Sequence, residues 1–99
     1  MKYKVEYSKR FQKDLNKFDR YTKKLLIGWI NTHLADADNP FLYGKELKGN
    51  LKGKWRYRVG DYRIIAEIQN DKMIILLVNI GHRRNVYIVH EDEEDYEMY

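Results

Sequence analysis

Trp55-Arg56-Tyr57-Arg58-Val59-Gly60-Asp61-Tyr62-Arg63 is the most informative run in this chain. Two alternating, aromatic-rich segments flank Gly60-Asp61, and such a pair between such segments signals a β-hairpin closed by a two-residue turn. In that hairpin Val59 pairs with Tyr62, and Arg58 lies directly opposite Arg63. Like charges opposed on one sheet face destabilise the sheet. The pair is therefore expected to add nothing to the fold and to hold an anion between its guanidinium groups. The interleaved aromatics make nucleic acid the leading source of that anion.

Working outward, residues 54–59, 62–69 and 73–80 read as three strands, the last two joined at Asn70-Asp71, residue types that tolerate left-handed backbone. With two-residue turns throughout, Arg63 pairs with Arg58 on one side and with Val78 on the other. Arg56, Arg58 and Arg63 then share a face with Ile65 and Leu76. Trp55, Tyr57, Tyr62, Ile64, Ile68, Ile75 and Leu77 line the opposite face, which is the better surface for helices. Upstream, Tyr3, Val5 and Tyr7 alternate with Lys2, Lys4 and Glu6, the period of a half-buried strand. Ser8 then caps a helix carrying Phe11, Leu15 and Phe18. Asp19 caps a second, longer helix carrying Leu25, Leu26, Trp29, Ile30 and Leu34, which ends near residues 36–40. Residues 36–53 read as a connection whose second half brings Lys45, Lys48 and Lys52, with Lys54 after it, up to the hairpin. The expected fold is α+β, a helical hairpin packed on a small, mostly antiparallel four-stranded sheet in the order βααβββ.

Ninety-nine residues suffice for one domain and one core. The absence of cysteine excludes a disulfide framework and a thiolate zinc site. Its three scattered histidines show no ligand spacing, so neither a metal nor a cofactor is expected. The longest apolar stretch, Met73 to Val78, has the length of a strand and cannot span a bilayer, and the polar N-terminus is not a signal peptide. The expected location is the cytoplasm. Residues 91–99 carry six of the fifteen acids and no Lys or Arg, so residues 1–90 hold nineteen basic against nine acidic residues. The chain thus divides into a strongly basic domain, residues 1–90, and an acidic C-terminal tail, residues 91–99. A body of that charge draws polyanions. The tail is expected to be solvated and at most to shield the body loosely.

The hairpin, together with Leu47-Lys48-Gly49 before it and Gly81-His82-Arg83-Arg84-Asn85-Val86-Tyr87 after it, resembles the RelE side of the RelE/ParE toxin superfamily. The similarity extends over nearly the whole chain, since the order and length of the elements also fit. The resemblance implies a small cytoplasmic toxin that enters the ribosomal A site, cleaves the messenger RNA there and is held inactive by a co-expressed small antitoxin, RelB-like or of another kind. By matched position it implies a phosphate-binding role for Arg63, basic RNA-binding roles for Lys48, Arg56 and Arg58, and correspondence of Arg83 or Arg84 with the family's C-terminal arginine. Tyr87 matches the C-terminal tyrosine, which tilts the resemblance toward RelE and away from ParE-type toxins that act on DNA gyrase. Lys45 stands where one branch of the family has a catalytic Glu, and Glu46 is one residue out of register with it.

Metal-free RNA cleavage requires a group to take the 2′-hydroxyl proton, a group to hold charge on the phosphoryl oxygens and a group to assist the departing 5′ oxygen. Arg63, flanked by Arg58, suits the second task, because a guanidinium grips two oxygens and keeps its charge. His82 and Tyr87 are the candidates for proton transfer, with base and acid left open between them, and Arg83 completes the catalytic set. Lys48, Lys52, Lys54, Arg56, Arg58 and Arg84 are the candidate RNA-binding residues. His33 reads as a partly buried structural residue of the second helix, and Trp29 and Trp55 as core. Two rival functions fit the same residues: a gyrase-inhibiting toxin of the same fold, and a non-catalytic RNA-binding module whose arginines only position phosphates.

Overall fold

A computed structural model describes residues 2–83. Along the chain these form β1 (Lys4–Tyr7), α1 (Lys9–Leu15), α2 (Arg20–His33), β2 (Gly44–Glu46), a 3-10 turn (Gly49–Leu51), β3 (Lys54–Val59), β4 (Tyr62–Gln69) and β5 (Ile74–His82). The strands make one sheet in the order β1-β5-β4-β3-β2, with β1 parallel to β5 and the other pairs antiparallel. A helical hairpin on a mostly antiparallel sheet is the expected α+β arrangement. The sheet has a fifth strand because β2 forms inside the segment read as a connection. Three residues are too few to display a period of two. A Cβ at Gly44 would run into the Arg56 carbonyl and the Trp55 indole, so glycine is what lets β2 close onto β3.

Both helices start at the caps read from the sequence. Ser8 Oγ accepts the Phe11 amide at 3.0 Å, and Asp19 Oδ1 accepts the Thr22 amide at 2.8 Å. The hydrogen bonds to Thr22 hold the exposed Asp19 carboxyl below its ordinary pKa. α1 stops at Leu15, so Phe18 lies in the connection and not on the helix; there its ring meets Tyr62 edge-on at 5.1 Å. α2 stops at His33, short of residues 36–40. Leu25, expected in the core, is 47% exposed. It precedes the buried Leu26 by one residue, a rotation of roughly 100° around the helix axis.

Phe11, Leu15, Leu26, Ile30 and Leu34 pack against Tyr57, Val59, Ile64, Ala66, Ile75, Leu77 and Ile80 of the sheet. Each large side chain buried here is worth roughly 1.5–3 kcal/mol, so this layer is the main drive for folding. Tyr57 is fully buried, and its hydroxyl donates to the Pro40 carbonyl, tying the connection after α2 to the middle of the sheet. Burial pushes the Tyr57 phenol well above its ordinary pKa.

Between β4 and β5 the register departs from the expectation. The turn spans Asn70–Met73, with the Lys72 amide donating to the Gln69 carbonyl at 3.2 Å and the Met73 amide to the Asn70 carbonyl at 3.3 Å. Met73, not Asn70 or Asp71, takes the left-handed conformation, at φ 55°. In addition Ile65 faces Asn79 while Ala66 faces Leu77, which leaves Val78 as the extra residue of a β-bulge. The longer turn shifts the pairing by two residues and the bulge by one, so Arg63 pairs with Gly81 and not with Val78. β1 has ended by this point, and α1 with its cap Ser8 covers the β5 edge in its place. The Ser8 amide donates to the Leu77 carbonyl at 3.1 Å, the Ser8 hydroxyl to the Val78 carbonyl at 2.9 Å, and the Ile80 amide to Asp14 Oδ2 at 3.3 Å.

Candidate nucleic-acid interface

The hairpin forms as its sequence requires. Val59 pairs with Tyr62 and Arg58 with Arg63, and Gly60, at φ 61°, supplies the left-handed residue of the turn. The new strand β2 adds a second opposed pair, Lys45 against Arg56. Strand alternation places Lys45, Arg56, Arg58 and Arg63 on the sheet face away from the helices. Glu46 lies opposite Trp55, on the other face, which keeps it out of this cation cluster.

This face is not the open charged surface that the alternation predicts. Arg56 is 2% exposed and Arg63 is 3% exposed, and Leu47, Leu51 and Ile65 are buried outside the helix-side core. Leu47 and Leu51 come from the segment after β2, which the Leu47 amide joins to β3 by donating to the Lys54 carbonyl at 2.9 Å. Arg63 Nη1 donates to the Gly60 carbonyl at 2.9 Å and to the Tyr62 carbonyl at 3.0 Å. A buried charge needs hydrogen-bonding partners, and these carbonyls satisfy part of that need. The opposed arginines therefore do different work. Arg63 clamps the hairpin turn, so the expectation that the pair adds nothing to the fold fails at this residue, whereas Arg58 stays exposed.

Arg58, Arg56 and Lys45 line a groove of about 240 Å³ together with Leu42, Tyr43 and Gly44. Leu42 is 65% exposed and Tyr43 46% exposed, so apolar and aromatic surface stands next to cations. His33 helps to place this rim. Its Nδ1–H donates to the Trp29 carbonyl at 3.0 Å, its ring stacks on Trp29 at 4.5 Å, and Tyr43 meets it edge-on at 4.9 Å. The structural role expected for His33 thus extends to the groove. Sequence reasoning missed Leu42 and Tyr43, and it placed Lys45 among the lysines ahead of the hairpin and as a departure from a family pattern without counting it as a binding residue. The signal available was the sequence Tyr43-Gly44-Lys45, separated by Glu46 alone from the Leu47-Lys48-Gly49 run.

The other candidates separate. Lys48 and Lys52 are exposed at either end of the 3-10 turn. Lys54 faces Glu67 across the strands and lies 3.8 Å from its carboxylate, a partly exposed pair of the kind that contributes about 0–1 kcal/mol. The Arg83 amide donates to the Asp61 carbonyl at 2.7 Å, and its guanidinium sits 3.9 Å from the Asp61 carboxylate, so the end of the described chain is pinned to the hairpin turn. His82 pairs with Tyr62, their rings edge-on at 5.8 Å. That register puts His82 on the helix side of the sheet and not beside Arg63. Arg84, Tyr87 and the acidic tail lie outside the described residues.

The helical hairpin thus packs on one face of a mixed sheet, and the cations of the β-hairpin line the other. Residues 5–87 match the family described as ParE toxin of type II toxin-antitoxin system, parDE, and the chain belongs to this family, within the RelE/ParE superfamily. It is similar to toxin RelG of Mycobacterium tuberculosis, 25% identical over 88 residues that make up 88% of this chain and 98% of the relative. Among solved structures, the toxin-antitoxin complex RelBE2 from Mycobacterium tuberculosis matches with a TM-score of 0.76 at 22% identity, covering 86% of this chain and 95% of that one. A mutant of the E. coli toxin RelE in the free state matches with a TM-score of 0.68 at 15% identity, covering 98% and 96%. The superfamily resemblance drawn from the hairpin residues is borne out, and the chain is a toxin of a type II toxin-antitoxin system.

Proposed function

We propose that this toxin is a ribosome-dependent, metal-independent endoribonuclease that cleaves messenger RNA in the A site and so stops translation. The observation that carries this reading is the pair of opposed cation pairs, Lys45 with Arg56 and Arg58 with Arg63, on one sheet face beside the exposed Tyr43. Cations track phosphates and an aromatic rim accepts a base, a combination suited to single-stranded RNA. Arg58 and Lys45 meet the backbone first, with Lys48 and Lys52 extending the track. Arg63 lends its charge to the phosphoryl oxygens from beneath. The 2′ oxygen bonds to phosphorus as the bond to the 5′ oxygen breaks, leaving a 2′,3′-cyclic phosphate and a 5′-hydroxyl. His82 and Tyr87 remain the proposed proton-transfer groups. Since His82 is on the helix side, it serves only a phosphate bound at the rim where β5 ends.

The placement of His82 and the family matched also favour a second reading, inhibition of DNA gyrase in the manner of ParE. Either way a cognate small antitoxin is the expected partner, a reading supported by relatives solved as toxin-antitoxin complexes. No helix among the described residues is long and apolar enough to cross a membrane. A toxin that acts on ribosomes works in the cytoplasm.

Programmed ribosomes supply the test. Primer extension should map a break in the A-site codon only when ribosomes are present, with a 5′-hydroxyl on the downstream fragment, and His82→Ala should slow the break by the factor of about a hundred or more typical of a lost acid or base. Intact messenger together with loss of gyrase supercoiling would overturn the ribonuclease in favour of the ParE-like activity. RNA binding without either effect would leave only a binding module.

A further inference from the structure

We infer that the groove lined by Lys45, Arg56 and Arg58 is a docking site for the chain's own acidic C-terminal segment, residues 91–97, which competes there with RNA. The inference rests on the assignment of this face to RNA and concerns the regulation of the same site. Three observations carry it.

Charge complementarity comes first. Six carboxylates occupy seven positions, Glu91, Asp92, Glu93, Glu94, Asp95 and Glu97, and that segment has no cation of its own. The groove is their opposite: Lys45 and Arg58 are exposed, Arg56 lies between them in the lining, and Glu46 is turned to the other face. Carboxylates present the same acceptor pairs to a guanidinium that a phosphate does. Among the other cation clusters of the described residues, the depression lined by Arg20, Lys23 and Lys24 also holds no carboxylate, and two are less clean. The depression lined by Arg10, Lys13 and Lys17 contains Asp14, which is within 3.8 Å of Arg10, and Lys54 faces Glu67.

Reach is the second observation. The described chain ends at Arg83, which is held at the hairpin turn by its amide bond to the Asp61 carbonyl. Gly81, Arg63 and Arg58 lie in one row across β5, β4 and β3, and Lys45 is one strand further, opposite Arg56. With strands about 4.8 Å apart and residues about 3.3 Å apart along them, Lys45 is roughly 20 Å from residue 83. Residues 84–90 span up to about 25 Å when extended, which delivers Glu91 and the acids after it to the groove.

The third observation is the apolar rim. The tail carries Tyr96, Met98 and Tyr99 among and after its acids, and the groove presents the exposed Leu42 and Tyr43. A mixed acidic and aromatic segment fits a mixed basic and aromatic groove better than a purely solvated tail does. Attachment to the same chain gives the segment an effective concentration in the millimolar range, so that even a weak contact is populated.

The test compares the parent with a full-length variant in which E91Q, D92N, E93Q, E94Q, D95N and E97Q are combined. Backbone amide spectra without any RNA should differ at residues 42–45 and 56–58, and raising the salt to about 1 M should move the parent toward the variant, because the contact is screened. Identical spectra at these positions overturn the inference. Affinity for a short 2′-O-methyl RNA, which cannot be cleaved by 2′-oxygen attack, should rise about three- to tenfold in the variant at low salt, as expected when a competitor at millimolar effective concentration is removed. The same gain in a Lys45→Ala, Arg58→Ala background would show a general charge effect and sink the groove assignment; loss of the gain there supports it. These measurements read binding alone, so an absence of messenger cleavage defeats the ribonuclease without touching the docked tail.

Discussion

The two faces of the central sheet bury side chains for opposite reasons. Toward the helices lie Tyr57, Val59, Ile64, Ala66, Ile75, Leu77 and Ile80, apolar apart from one hydroxyl that is bonded to Pro40. Away from them, Leu47, Leu51 and Ile65 are buried together with Arg56, Arg63 and Asn79. The first face needs no further explanation than the removal of apolar surface from water. The second spends burial on two guanidinium groups and opposes each to another cation, an arrangement that costs stability unless hydrogen bonds offset it. Arg63 shows how part of that cost is met, by donating to carbonyls of its own turn. The lesson is that a charged face in a small fold can be a layer, with an inner rank that holds the backbone and an outer rank, Arg58 and Lys45, that remains available to a partner.

If the faces differ in this way, substitutions on them separate stability from function. Tyr57→Ala should be the most damaging, costing about 3–5 kcal/mol for the lost aromatic volume, as seen by urea denaturation. A small loss would mean the helix-side face is not the core. Arg63→Ala should lower cleavage on the ribosome about a hundred- to thousandfold, the effect of removing one donor to developing charge. It should also lose about 1–3 kcal/mol of stability as the turn carbonyls lose their donor. Full activity in a stable Arg63→Ala protein would remove this arginine from both roles.

Ser8→Ala comes next, at about 1 kcal/mol, since it deletes an N-cap acceptor and leaves the Val78 carbonyl at the bulge without its hydroxyl donor. Amide exchange should then speed up around the bulge before the rest of β5. Arg58→Ala should leave stability unchanged or slightly raised, while the log-log salt slope of single-stranded RNA binding falls by about 0.7 for the lost phosphate contact. A destabilised Arg58→Ala would make the two arginines of the pair equivalent, contrary to the layered description.

The smallest effect concerns pH. Asp19 has a folded-state pKa lowered from 3.8 by its bonds to Thr22, so its contribution is present above that ordinary value and is lost as pH falls through the lower folded value. Asp19→Asn keeps a capping oxygen but cannot titrate. Its stability should therefore fall less steeply than the parent's below about pH 4, where carboxylates begin to protonate. Parallel curves from thermal unfolding would assign the acid sensitivity to other groups.

Which features were legible from residue order follows from how local their causes are. The Gly60-Asp61 turn, the Arg58–Arg63 opposition and the caps at Ser8 and Asp19 depend on neighbours a few positions apart, and all four form as the sequence dictates. The amphipathic pattern of α2 likewise names Leu26, Ile30 and Leu34 as core, although it cannot tell that Leu25 sits beyond the edge of the buried stripe.

Tertiary structure alone decided the rest, because the causes lie far apart in the chain. The bulge at Val78 is set where β1 ends and α1 takes over the edge of β5, a junction between residues about seventy positions apart. β2 exists because Gly44 can approach the Arg56 carbonyl and Trp55 closely. Its formation brings Lys45 opposite Arg56 and so builds the groove. Burial of Arg56 and Arg63 likewise depends on the chain outside β3 and β4. Alternation along a strand assigns a side chain to a face, but only the packed fold determines what covers that face, and here that difference divides a clamp from a contact surface.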